Sequence, residues 1–183
     1  MNKEHEKLFK MVEVALYAAL IMLGIAFIRI PMPTGSFVHL GNALVVLGLL
    51  LFGFKRGLLA ASIGLFLFDV THGYAAEAPI TVLESVIVLV VIEFIYQNLF
   101  HRKDTTQNLI VMSVTAGAVK VAVIFLKRIL LGLAGGSVFE AAVTVAITKA
   151  PASVLTAAVT AILIPLLYYP MKAVVRRFHT VGE

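Results

Sequence analysis

The sequence predicts an all-α integral membrane protein, a single domain over residues 1–183 with six transmembrane helices and both termini cytoplasmic. Three observations carry that prediction. Of the 183 residues 61% are hydrophobic and 14% charged, and the mean hydropathy is +1.01, far from the balance of a water-soluble domain. A span needs about 20 apolar residues to cross about 30 Å of hydrocarbon, so the chain supplies about six spans and no separate soluble domain. The basic residues fall in short clusters between apolar runs, three in the N-terminal segment, two at Lys55 and Arg56, two at Arg102 and Lys103 and three in the C-terminal tail, against Arg29 on the other face. That asymmetry puts both termini in the cytoplasm and makes the span count even.

The first span is read over Met11–Ile30. It is too long for a signal peptide's apolar region, and it ends in Arg29, Ile30, Pro31, Met32 and Pro33 without a small-residue cleavage site. Two short runs follow, Leu40–Phe54 and Leu58–Val70, separated by Lys55, Arg56 and Gly57. The fourth span runs from about Pro79 to Phe100, with Pro79 in the first turn, where no amide donor is needed. The fifth runs from about Leu109 to Leu133. Pro151 would interrupt a helix through the last apolar stretch. The sequence is therefore divided there, into a short lid segment Val138–Thr148 after Gly135 and Gly136 and a sixth span from near Pro151 to near Met171.

An ionisable side chain inside a span costs several kcal/mol unless it faces a cavity or a partner, which makes each one a functional candidate. Glu84 and Lys127 each lie about five or six residues from the outer ends of their spans, about 8 to 9 Å deep at about 1.5 Å per residue, so the two can meet. Lys120, seven residues before Lys127, returns to nearly the same helical face at greater depth, and Lys149 enters from above just before Pro151. The cluster of Glu84, Lys127 and Lys149 has an excess of cations, which a ligand with acceptor or partly anionic groups would complete. Its alternative role is a set of ion pairs that only hold the bundle together.

Glu93 is half a helical turn out of phase with Glu84 and belongs at another contact; Glu13 is shallow enough to snorkel, and Arg128 suits snorkelling or loop pairing. His39, Asp69 and His72 could bind a metal, but their spacing fits capping and loop hydrogen bonds better, so no metal site is expected. Tyr74 can stack on a planar ligand or anchor at the interface. Ala15 and Ala19, four apart on span one, would let another helix approach closely if they face outward. The sequence lacks GxxxxGK[ST], HExxH and GxSxG motifs and has no cysteine, so no catalytic residue, thiolate chemistry or ATPase of its own is expected.

The run His39, Leu40, Gly41, Asn42, Ala43, then Leu51 to Gly57, Gly64, Asp69 and Gly73, with Pro79 opening the next helix, resembles the substrate-binding S-components of energy-coupling factor (ECF) transporters. The similarity is to the branch named after riboflavin transport, which also contains hydroxymethylpyrimidine S-components, and it covers nearly the whole chain. The resemblance implies the ECF S-component fold and a multi-pass protein of a prokaryotic cell membrane. Such a protein captures one vitamin or precursor in its outer half, beneath the loops after spans one, three and five.

By the same resemblance the substrate site includes His39, Glu84, Lys127, Lys149 and Ser153, beside Asn42, Tyr74 and Lys120. Ala15 and Ala19 match the AxxxA pattern that docks on the transmembrane coupling subunit, which works with two ATP-binding subunits. Asn42 stands where the pattern commonly has Asp. The absence of tryptophan and the few loop aromatics favour a small ring, hydroxymethylpyrimidine or a pyridoxine-like compound, over a flavin. No cofactor, metal or nucleic acid is implied, and the partners are the vitamin, the coupling and ATPase subunits and lipid. Two other functions remain: a proton-coupled secondary carrier titrating Asp69 or Glu84, and a structural subunit that binds no ligand.

Overall fold

The computed structural model describes residues 3–181. Its elements in order are α1 (Lys3–Phe27), β1 (Arg29–Pro31), β2 (Phe37–His39), α2 (Gly41–Phe52), α3 (Phe54–Thr71), α4 (Ala78–Phe94), a π-helical turn (Ile95–Leu99), α5 (Thr106–Ala134) and α6 (Phe139–Val181). Four helices are long and apolar enough to cross a membrane: α1, α4 with its π turn, α5 and α6. The others are shorter, α2 with 12 residues and α3 with 18, and α3 carries Lys55, Arg56 and Asp69. The large apolar side chains left exposed, among them Leu16, Phe27, Leu83, Phe94, Leu126 and Ile162, make the outer surface one that lipid can solvate.

The shortest helix is the centre of the bundle. All residues of α2 except Leu51 are buried, as expected of a helix that is apolar on every face. Around it α1 contributes Tyr17, Ile21 and Ile25, α4 Val88, Leu89 and Ile92, and α6 Ile164 and Tyr168. The Tyr17 hydroxyl donates to the Leu44 carbonyl at 2.8 Å, which satisfies the one polar atom this ring brings into the core. Helix α3 lies close against α1 because position 64 is glycine: a Cβ there would sit 2.6 Å from the Ala18 carbonyl oxygen.

Three boundaries differ from the sequence-based expectation. The first span stops at Phe27, and residues 29–39 turn back as an antiparallel hairpin with Arg29 opposite His39 and Pro31 opposite Phe37. The break between the two short helices is at Gly53, whose φ of 83° is open to glycine, so Lys55, Arg56 and Gly57 form the first turn of α3 rather than a loop. Third, residues 138–148 are not a separate lid. From Phe139 on they are the start of one helix of 43 residues that contains Pro151, Pro165 and Pro170.

Proline removes a donor, and a helix tolerates it where the freed carbonyl finds another partner. Pro165 cannot donate to the carbonyl of Ala161, and there the Ser113 hydroxyl of α5, which also faces the Ile110 carbonyl of its own helix at 2.8 Å, comes within 3.1 Å. A proline read along one helix signals a break, because the neighbour that makes it tolerable lies far away in sequence.

The end of the bundle that carries both termini is tied by charge. Asp104, between the π turn and α5, accepts from the Tyr96 hydroxyl at 2.7 Å and from Lys172, and its backbone carbonyl accepts from the Tyr169 hydroxyl at 2.7 Å. Lys172 also donates to the Tyr168 hydroxyl at 3.1 Å. Burial alone would raise the Asp104 carboxyl, but Lys172 and Tyr96 outweigh it and hold it below the usual carboxylate range. At the same end Glu13 pairs with Arg56 at 2.5 Å and Glu93 with Arg102, so neither glutamate reaches the cluster around Glu84.

Candidate functional site

At the other end, α4 and α5 bring three charges together inside the bundle. The Lys120 ammonium donates to Glu84 Oε2 at 2.9 Å, and Lys127 approaches Glu84 Oε1 to 2.6 Å. The side chains of Glu84, Lys120 and Lys127 are 6%, 12% and 19% exposed, so the cluster is largely withdrawn from solvent. The two lysines thus hold one oxygen each of the Glu84 carboxylate. Lys120 also reaches Ser85 Oγ at 3.3 Å, and Lys127 lies 3.7 Å from Glu77 at the mouth. Spacing explains the convergence: residues 120 and 127 share one face of α5, and residues 77 and 84 one face of α4.

Around this cluster stand groups from three more elements. Asn42, 4% exposed in the first turn of α2, donates through Nδ2 to the Thr160 hydroxyl at 3.2 Å, while its Oδ1 has no partner. His39 Nδ1 accepts the Gly41 amide at 2.9 Å, which leaves the ring proton on Nε2. Burial, helped by the positive charge of Lys120, pushes the His39 pKa down to about 4, so the ring is neutral near pH 7. Asp69, at the end of α3, is buried beside Thr81 and within electrostatic reach of Glu84 and Lys127.

The remaining candidates are distributed differently. Ser153 is buried on α6 and accepts from Arg128 at 3.4 Å, so Arg128 turns inward rather than snorkelling. Lys149 is half-buried and, among the described residues, joins neither Glu84 nor another carboxylate. Tyr74 belongs to an aromatic group with Phe37 and Phe68, at ring distances of 5.9 and 6.4 Å, and His72 stacks on Phe68 at 4.4 Å. Together with Arg29 and Met32, Phe37 and Tyr74 line an outward-facing cleft of about 340 Å³ beside the hairpin. Ala15 and Ala19 are exposed on α1, away from this end.

Sequence reasoning missed Glu77, Ser85, Thr160 and the inward turn of Arg128. Glu77 was within reach, since it precedes Glu84 by seven residues, two helical turns on one face. The Asn42–Thr160 bond joins residues 118 positions apart, and no local pattern encodes it.

A buried ion cluster is a poor stabiliser compared with apolar packing, so one kept at the end of the bundle away from the termini, beside unfilled acceptors, is a candidate for binding. The model of the family described as ECF-type riboflavin transporter, S component, matches residues 6–173. The chain belongs to this family. It is a multi-pass membrane protein and a vitamin-binding transport subunit of the kind that works with an ECF transmembrane and ATPase module. No curated protein and no solved structure matches the chain.

Proposed function

We propose that this S-component captures a small vitamin or precursor from outside the cell, hydroxymethylpyrimidine or a pyridoxine-like compound, and hands it inward with a coupling protein and two ATPases. The observation that carries this reading is the buried cluster of Glu84, Lys120 and Lys127 under the hairpin. Glu84 accepts from an amino or hydroxyl group of the ring, and Lys127 and Lys120 donate to ring acceptors. His39 and Asn42 close the site from the hairpin side, Tyr74 stacks at the entrance, and Lys149 and Ser153 bound it from α6. Six crossings with both termini in the cytoplasm of a prokaryotic cell place the exposed pair Ala15 and Ala19 where α1 can dock on the coupling subunit.

A second reading, riboflavin itself, is favoured by the description of the matching family. Mass spectrometry of small molecules that co-purify with the isolated protein, followed by thermal-shift titration of the same compounds, separates the two. A stoichiometric pyrimidine or pyridine supports the first reading and a flavin the second. An empty protein that no vitamin stabilises, and that takes up solute in proteoliposomes under a pH gradient alone, refutes both.

A further inference from the structure

Two buried acceptor atoms near the charged cluster have no hydrogen-bond partner among the described residues: Asp69 Oδ2 and Asn42 Oδ1. Asp69 is 6% exposed and Asn42 4%, so water does not reach them freely. Buried polar atoms are almost always paired, and acceptors left unfilled call for donors. The α5 cations and the Asn42 amide are already engaged. Lys120 serves Glu84 and Ser85, Lys127 serves Glu84 and Glu77, Arg128 serves Ser153, and the Asn42 amide serves Thr160.

The charges point the same way. The groups that face Asp69 are Thr81 and Glu77 and Glu84 from α4, with Lys120 and Lys127 from α5; Arg128 in turn faces Glu77 and Glu84. Once Asp69 and Glu77 are counted with Glu84, the carboxylates equal the cations, and the apparent excess of lysine seen in the sequence is gone. An anionic ligand would meet the unfilled carboxylate oxygen of Asp69 and upset a balanced site.

Resting on the vitamin-binding reading above, we propose that Asp69 is a further ligand-binding side chain, which accepts an N–H or O–H from a neutral, donor-bearing ligand and selects against its anionic derivatives. The step needs no proton transfer.

The test uses the full-length protein in detergent or nanodiscs with three pairs of probes: hydroxymethylpyrimidine, pyridoxine and riboflavin, each beside its phosphate ester. Affinities are measured for wild type and Asp69→Asn, an isosteric change that removes the charge and turns one acceptor into a donor. Wild type is expected to bind at least one neutral compound about tenfold or more tightly than its ester, and Asp69→Asn to lower that preference about tenfold. The ratio of the two affinities does not depend on the fraction of variant that folds, so a partly unfolded sample still decides the matter. An unchanged ratio, or a wild type that prefers the ester, overturns the role of Asp69 alone. A wild type that binds none of the six overturns the vitamin-binding reading and this inference with it.

Discussion

Each end of the bundle gathers a cluster of charged and polar side chains, one around Asp104 beside the π turn, α5 and α6 and one around Glu84 between α4 and α5, and the two differ in how completely they are satisfied. At the end with the termini, Asp104 collects Tyr96, Lys172 and Tyr169, and none of the polar side-chain atoms of these residues is left orphaned among the described residues. At the other end, Glu84 holds two lysines while acceptors on Asp69 and Asn42 stay open. A network whose members satisfy one another rigidifies and asks for nothing more. One left unfilled is a cost that folding alone does not explain, and on the proposal above the difference is that between a staple and a receptor, although the residue types are nearly the same.

The strongest way to break the comparison is Glu84→Ala, which strands Lys120 and Lys127 inside the bundle. Loss of one partner from a buried pair costs about 3–5 kcal/mol, so the thermal midpoint in detergent should fall steeply and ligand protection should disappear together. Asp104→Ala should cost less, about 1–3 kcal/mol for the orphaned tyrosine and lysine donors, and should leave affinity for the vitamin unchanged in the folded fraction. Affinity lost to Asp104→Ala, or retained after Glu84→Ala, would reverse the assignment of the two ends.

Acid titration sharpens the contrast. His39 has its pKa lowered from 6.5 to about 4, so between those values the unfolded chain binds more protons than the folded one. Stability therefore rises with pH across that window, is complete above about 6.5, and is lost as the pH falls toward 4. Asp104 has its pKa lowered from 3.8, so its contribution persists above that value and is lost only as the pH falls through the lowered one. The hairpin end should thus loosen first on acidification, which hydrogen exchange at the Gly41 amide can follow. His39→Asn, which keeps an acceptor for that amide, should remove the earlier phase and leave the later.

The smallest effect is expected for Ala15→Leu with Ala19→Leu. Both positions are exposed, so stability should move by no more than about 0.5 kcal/mol and vitamin binding by less, while co-purification of the coupling subunit is lost. Coupling retained in the double variant would move the docking surface elsewhere on the protein.

The legible part of this molecule is whatever rides on one helix. Depth along a span and phase around it are enough to bring Glu84, Lys127 and Lys120 together and to keep Glu93 out of their cluster, though not to name Arg102 as its partner. Pro79 marks the start of α4 because proline's missing donor is harmless in a first turn. What escapes depends on contacts between distant helices. Arg128 turns inward because Ser153 waits on α6, Asn42 is held by Thr160, and the turn between α2 and α3 sits at Gly53 because of a backbone angle that hydropathy does not register. Lys149, expected above Glu84, lies on a helix that runs straight through Pro151, and this keeps it out of the ion cluster.

That same helix carries a small inheritance of its own. Pro165 leaves the Ala161 carbonyl without its helical donor, and the buried Ser113 hydroxyl on α5, shared with the Ile110 carbonyl of its own helix, provides the replacement at 3.1 Å. A relative that has lost the proline no longer needs the serine, whereas one that has lost the serine alone keeps an unanswered carbonyl in a place with no water to answer it. The two positions should therefore be gained and lost as a couple across the lineage, and their pairing in related sequences would mark how α5 and α6 came to lie side by side.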